Sequence, residues 1–217
     1  MNDVPANGGR QARRRAATRA RLLEAAQQVI ADHGFEAVSF ADVTKAADLG
    51  TGTIYTYFPT LDDLKDAVGH AALDTFGDQL DRMAATLSDA AEIYAFSLRQ
   101  LVRAARTDPV WGRLVVQMGV AHPLLMQVLG PRATRDLELG REQGRFHFAD
   151  LDVVVACTFG SLQAVLNLVV SDPDNEGAGR RYAVAMLRMV GMPADEAEEI
   201  AQRPLPSLPE PDTNRMA

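Results

Sequence analysis

Between Ala16 and Asp63 the sequence packs three helical stretches and their stops into fewer than fifty residues, which leaves room only for a small helical bundle. From Ala16 to His33, the residues Leu22, Leu23, Ala26, Val29 and Ile30 recur at the spacing of one helix face. Gly34 follows, the residue type that most readily takes the left-handed conformation ending a helix. Ser39 offers an N-cap for a second, short helix whose Phe40 and Val43 turn inward. That helix runs out near Ala47, "DLGTG" makes a tight turn, and a third short helix spans 51–57. Pro59 and Thr60 break it, and Thr60 with Asp63 three residues later forms a capping-box start for a long helix.

Two short helices joined by a tight glycine-containing turn form a helix-turn-helix, whose second helix enters the DNA major groove. The chemistry of the third helix fits that use. Ile54 and Phe58, four apart, hold it to its neighbours, and the small and hydroxyl-bearing residues between them are left for an outer surface that must approach bases and phosphates closely. A phosphate-binding loop is the competing reading of "GTGT", but the G-x-x-x-x-G-K-[ST] pattern is missing and no hydrophobic strand precedes it.

A net charge of −7 looks wrong for a nucleic-acid binder until it is divided by region. Residues 1–65 carry eight basic and eight acidic side chains, whereas residues 66–217 carry fourteen basic and twenty-one acidic and so hold the whole excess. Arg10, Arg13, Arg14, Arg15, Arg19 and Arg21 fall within twelve positions that contain no acid. Such a cluster on an acidic protein points to a local anionic partner. The Gly-, Asn- and Pro-containing start of the chain predicts a disordered basic arm over residues 1–15.

Residues 19–64, "RARLLEAAQQVIADHGFEAVSFADVTKAADLGTGTIYTYFPTLDDL", resemble the DNA-binding domain of TetR-family bacterial transcription regulators through "LLEAA", "HGF", Ser39 and "GTIYTYF". The resemblance implies an all-α fold: a three-helix helix-turn-helix domain (16–60), then a larger helical ligand-binding and dimerisation domain (61–203). It places Ser39, Thr51, Gly52, Thr53, Tyr55, Thr56 and Tyr57 on double-stranded DNA, with Arg13, Arg14 and Arg15 as an arm along the duplex. Three positions depart from the family pattern. Asp48 stands where glycine is common and Gly50 where a serine cap is common. Leu61 stands where a lysine normally supports a phosphate contact, and Asp62 and Asp63 follow it.

Beyond residue 60 the periodicity predicts helices near 61–86, 89–106, 109–119, 122–143, 150–171 and 178–190, then a short one from Pro193. The Pro-rich segment 204–217 reads as a disordered tail. Residues 151–170 are mostly apolar, but Asp152, Thr158, Ser161, Gln163 and Asn167 interrupt them too often for a membrane span. A helix apolar nearly all round is expected to bury one face in its own domain and another against a second subunit. By resemblance, the last two long helices pair across a two-fold axis, setting two recognition helices ~35 Å apart over a palindrome. Leu162, Leu166, Val169, Met186 and Met189 are the candidate dimer-interface residues.

The family also implies a cavity among the middle helices for a small effector. Phe76, Tyr94, Phe96, Trp111, Met118, His122, Met126, Phe159 and Gln163 are the candidates, and their chemistry suits an apolar or aromatic molecule. The same residues at helical spacing equally suit a plain core. Asp89 and Glu92 are charged candidates for holding a cation.

Catalysis is not expected: the four histidines are scattered, none in a metal-binding spacing, and Cys157 lies within the most apolar stretch. No metal or other cofactor is implied. The single cysteine and the absence of an apolar segment after the basic N-terminus suit the cytoplasm. The function expected is that of a homodimeric repressor leaving a palindromic operator when an effector binds. The alternative is a small-molecule-binding or scaffold protein of the same fold with operator recognition weakened, as the Leu61 departure suggests.

Overall fold

The computed structural model describes residues 7–34, 37–118 and 124–208. These form ten helices, and no strand occurs among the described residues. The chain divides into two compact units, residues 1–69 and 70–211.

In the first unit, α1 (Asn7–His33), α2 (Phe40–Ala46) and α3 (Thr51–Ile54) are followed by the opening turns of α4 (Leu61–Ala84). α1 starts at Asn7 and is helical through the arginine cluster, which corrects the expectation of a disordered arm for residues 7–15. Arginine and alanine are good helix formers, and this run simply extends the amphipathic helix behind it by two turns. Gly34, at φ 88°, ends α1, donating from its amide to Ile30 O at 2.9 Å. Ser39 caps α2: its Oγ accepts from the Asp42 amide at 3.3 Å and donates to Asp42 Oδ2 at 2.5 Å. Thr60 and Asp63 exchange the two bonds of a capping box, Thr60 N to Asp63 Oδ2 at 3.0 Å and Asp63 N to Thr60 Oγ1 at 3.1 Å. The core beneath is Leu22, Ala26, Val43, Ile54, Phe58 and Leu64, all but closed to solvent.

The second unit is built around α5 (Ala90–Thr107), which packs on α6 (Pro109–Met118), α7 (Leu124–Glu142), α8 (Leu151–Ser171), α9 (Ala178–Met189) and α10 (Ala194–Gln202). α5 shows why a sequence produces a central helix: eleven of its eighteen residues are buried, and they face several directions. Aspartates set three of the helix starts. Asp89 accepts from the Ala91 amide, Asp108 from those of Val110 and Trp111, and Asp150 from that of Val153, at 2.9 to 3.0 Å. Residues 204–208 are not the loose tail expected. Gln100 Nε2 donates to Pro206 O, Arg99 Nη1 donates to Arg203 O at 2.8 Å, and Leu205 and Leu208 pack against the core.

α4 runs unbroken through the division at residues 69 and 70, so the compact units part nine residues beyond the expected boundary at 60. Its Leu64 and Val68 are buried in the first unit, and Leu73, Phe76, Leu80 and Met83 join the core of the second.

Candidate functional site

The first candidate surface is the turn and short helix at 47–58. Asp48 takes a left-handed conformation, φ 49°, at the turn where the family pattern has glycine. Aspartate tolerates that region better than most residues, which is how the chain keeps the turn without the glycine. Gly50 caps α3 with backbone alone, making no side-chain cap bond. Only Thr51–Ile54 is α-helical. Tighter hydrogen bonds, Thr56 N to Thr53 O at 3.1 Å and Tyr57 N to Ile54 O at 2.9 Å, then carry the chain round to Phe58. The recognition element is thus shorter as a helix than the span 51–57 read from sequence, with a turn completing it.

Ile54 and Phe58 anchor this element from below, as their spacing requires. Thr51, Gly52, Tyr55 and Thr56 are exposed, while Thr53 and Tyr57 are half-buried. Tyr55, 56% exposed, rests edge-on against the half-buried Phe40 ring with centroids 5.0 Å apart. Phe40 therefore props up an outer tyrosine instead of filling the core as its position suggested. Arg13, Arg14 and Arg15 are exposed on α1, and the Arg15 guanidinium lies over the Tyr57 ring at 5.8 Å. Ser39 is committed first to capping α2. Leu61 is half-buried, and the Asp63 carboxylate is held in its capping box.

The second candidate is a cavity inside the unit spanning residues 70–211. Apolar walls come from Leu80, Leu98, Leu101, Leu129, Phe159 and Leu162, and polar groups come from Tyr94, Thr158, Asp81, Arg132, Arg135 and Asp136. Its volume is about 40 Å³.

The polar groups differ in how far they are already satisfied. Tyr94 and Thr158 share a 2.7 Å hydrogen bond, and burial pushes the Tyr94 phenol up to about 12, so it stays protonated. Arg135 pairs with both Asp81 and Asp136, at 2.7 and 2.8 Å. Arg132 pairs with Asp81 at 2.8 Å and Asp78 at 3.0 Å. Burial acts to raise the Asp81 carboxyl, but the bonds and charges of the two arginines outweigh it and hold the group below the ordinary carboxylate range. Asp136 is different. Burial pushes it up, Arg135 draws it only part of the way back, and its bonds to Arg135 all use Oδ1. Oδ2 therefore has acceptor capacity to offer a hydroxyl inside an apolar cavity.

Of the nine effector candidates read from sequence, Tyr94 and Phe159 line this cavity. Phe76 and Trp111 instead stack on each other at 5.0 Å, and Phe96 is core with the Arg99 guanidinium above it. Gln163 ties α8 to α6 by donating to Val116 O at 3.0 Å. Met126 is 38% exposed and does not line this cavity. Met118's side chain and His122 lie outside the described residues. Asp89 and Glu92 are occupied by Arg145 and Arg203. The sequence reading missed Arg132, Arg135 and Asp136, whose signal was a group of charges in "PRATRD" on a helix otherwise apolar on that side.

Four of the five dimer-interface candidates need correction. Leu162, Leu166 and Val169 are closed to solvent inside their own chain, Met186 is buried, and Met189 packs half-buried against the same core. The outward side of α8 carries Val153, Ala156, Cys157, Gly160, Ala164 and Leu168, with Val153 56% and Leu168 48% exposed. α8 is long and apolar enough to cross a membrane, yet 44% of that stretch is buried within the chain.

A helix-turn-helix with a hydroxyl-rich outer face and a basic first helix defines a DNA-binding protein, here joined to an all-helical unit with an internal cavity. Residues 22–68 match the family described as bacterial regulatory proteins, tetR family, and residues 89–203 match the tetracyclin repressor-like C-terminal domain. The chain belongs to the TetR family of transcription regulators. It is 47% identical to RolR solved with resorcinol, over 91% of this chain and 100% of that one, at a TM-score of 0.81. RolR without ligand gives 47% identity, 88% and 100% coverage, and 0.79. The A-factor receptor protein of Streptomyces griseus is 26% identical over 167 residues, which are 76% of this chain and 58% of that receptor.

Proposed function

We propose that this protein is a homodimeric repressor in the cytoplasm that leaves a palindromic operator when a small neutral phenol fills the cavity of its second unit. The observation that carries the reading is Asp136, a carboxylate on the cavity wall whose bonds to Arg135 use Oδ1 and leave Oδ2 with acceptor capacity. An aromatic ring packs against leucines and Phe159, and a phenolic hydroxyl donates to Asp136. Arg132 and Arg135 are spent on Asp78, Asp81 and Asp136, three carboxylates for two cations, so an anionic effector finds no spare cation and is disfavoured. Resorcinol, bound by RolR, has this chemistry.

Ser39, Thr51, Gly52, Thr53, Tyr55, Thr56 and Tyr57 act on the duplex, with Arg13, Arg14 and Arg15 contacting phosphates. The second copy covers the outward stripe of α8, because an apolar helix face of this length is costly to leave in water. Effector binding lowers DNA affinity only to the extent that it favours the DNA-incompetent arrangement.

The test is binding of the purified protein to its own upstream DNA and to a scrambled duplex over a salt series, with and without resorcinol, and with benzoate as the anionic control. Specific binding should exceed scrambled binding by ~10³-fold. Resorcinol should lower the specific affinity at least tenfold, within the range of ordinary allosteric coupling, and benzoate should leave it unchanged. Equal, weak binding to both duplexes, with resorcinol still bound, would instead favour a sensor that no longer reads an operator.

A further inference from the structure

Asp81, Arg132 and Arg135 line the inner cavity and also an open cleft on the outside of the same unit, whose other walls include His70, Asp74, Gln127 and Pro131. These three side chains are thus common to both spaces, with α4 on one side and α7 on the other.

We propose that the Arg132–Asp81–Arg135 cluster is a latch across the effector's path, which runs from this outer cleft between α4 and α7 into the cavity. The proposal rests on the effector reading above and adds the route and its gate. Arg132 closes it by reaching from α7 to α4: Nε donates to Asp81 Oδ2 at 2.8 Å and Nη2 to Asp78 Oδ1 at 3.0 Å. Its Nη1 turns back to Val128 O at 2.8 Å, so the guanidinium is held at three points. Arg135 adds a second bond to Asp81 at 2.7 Å.

Gly77 makes this posture possible. A Cβ there would stand 2.6 Å from Arg132 Cζ and 2.8 Å from Nη1, so only a bare backbone lets the guanidinium lie against α4. The latch consists of long, flexible side chains, and its ion pairs are only partly buried: the Arg132 side chain is 22% and that of Asp78 29% exposed. Partly hydrated pairs of this kind break without a large penalty. A latch that closes the empty and the filled cavity alike cancels from the equilibrium constant and appears in both rates.

Gly77→Ala and Asp78→Asn test this, because neither residue lines the cavity. The alanine favours the helix and displaces only the end of a flexible side chain, so the fold is retained. Resorcinol exchange rates would be taken from NMR line shapes and Kd from calorimetry. In both variants the association and dissociation rate constants should rise together by roughly twofold to fivefold, the size expected when one partly buried ion pair stops holding a closed state. Kd should stay within about twofold of the wild type, since only the path changes. Unchanged rates in both variants, with wild type binding resorcinol, would overturn the latch alone. Failure of the wild type to bind resorcinol would overturn the effector reading, and the latch with it.

Discussion

Both units are helices packed round an apolar core, yet one was readable from the sequence and the other only in outline. In the first unit α2 and α3 are short, each has one inner face, and that face packs against the neighbouring helices. Ile54 and Phe58 could go nowhere but inward. In the second unit α5 and α8 are apolar on several sides, so periodicity locates the helices and leaves open which side meets which neighbour. A short amphipathic element carries its own orientation, and a long apolar one receives it from its surroundings.

The sharpest way to break this comparison is to substitute the two sides of α8 separately. Ala164→Glu puts a charge on the outward stripe. It should yield monomers by sedimentation and cost the operator affinity about 10²-fold or more, the avidity of two linked half-sites. Leu162→Ala, two residues away on the inner side, should leave the dimer intact and cost about 2–5 kcal/mol of stability in a urea melt. If the two variants exchanged phenotypes, the assignment of faces would be wrong.

A smaller effect probes the first unit, where the chain departs from its family. Leu61→Lys places a cation at the start of α4, beside the recognition element. Operator affinity should rise several-fold and the slope of log K against log salt should steepen by about one unit, as for one added phosphate contact. An unchanged slope would mean that position 61 does not face the duplex.

The smallest expected effect lies at Asp48. Asp48→Gly relieves a left-handed non-glycine residue and should add about 0.5–1 kcal/mol to stability. Operator affinity should stay unchanged. The Asp48 partner, Arg21, sits 3.5 Å away in an exposed pair, and its loss should contribute nothing measurable.

The sequence by itself determined the ten-helix order, most helix bounds to within a few residues although not the start of α1, the caps at Ser39 and Thr60, and the inward turn of Ile54 and Phe58. These depend on residues close together in the chain, through hydrogen bonds and spacing that one stretch carries alone. Tertiary structure decided that Leu162, Leu166 and Val169 turn into their own core and that Val153, Ala164 and Leu168 turn outward. It also decided that Tyr94, Asp136 and Thr158, from three helices, share one cavity while Trp111 and Phe96 do not. Apolar burial is non-directional, so the chain specifies how much surface must leave water, and only the packed helices settle where the space between them remains.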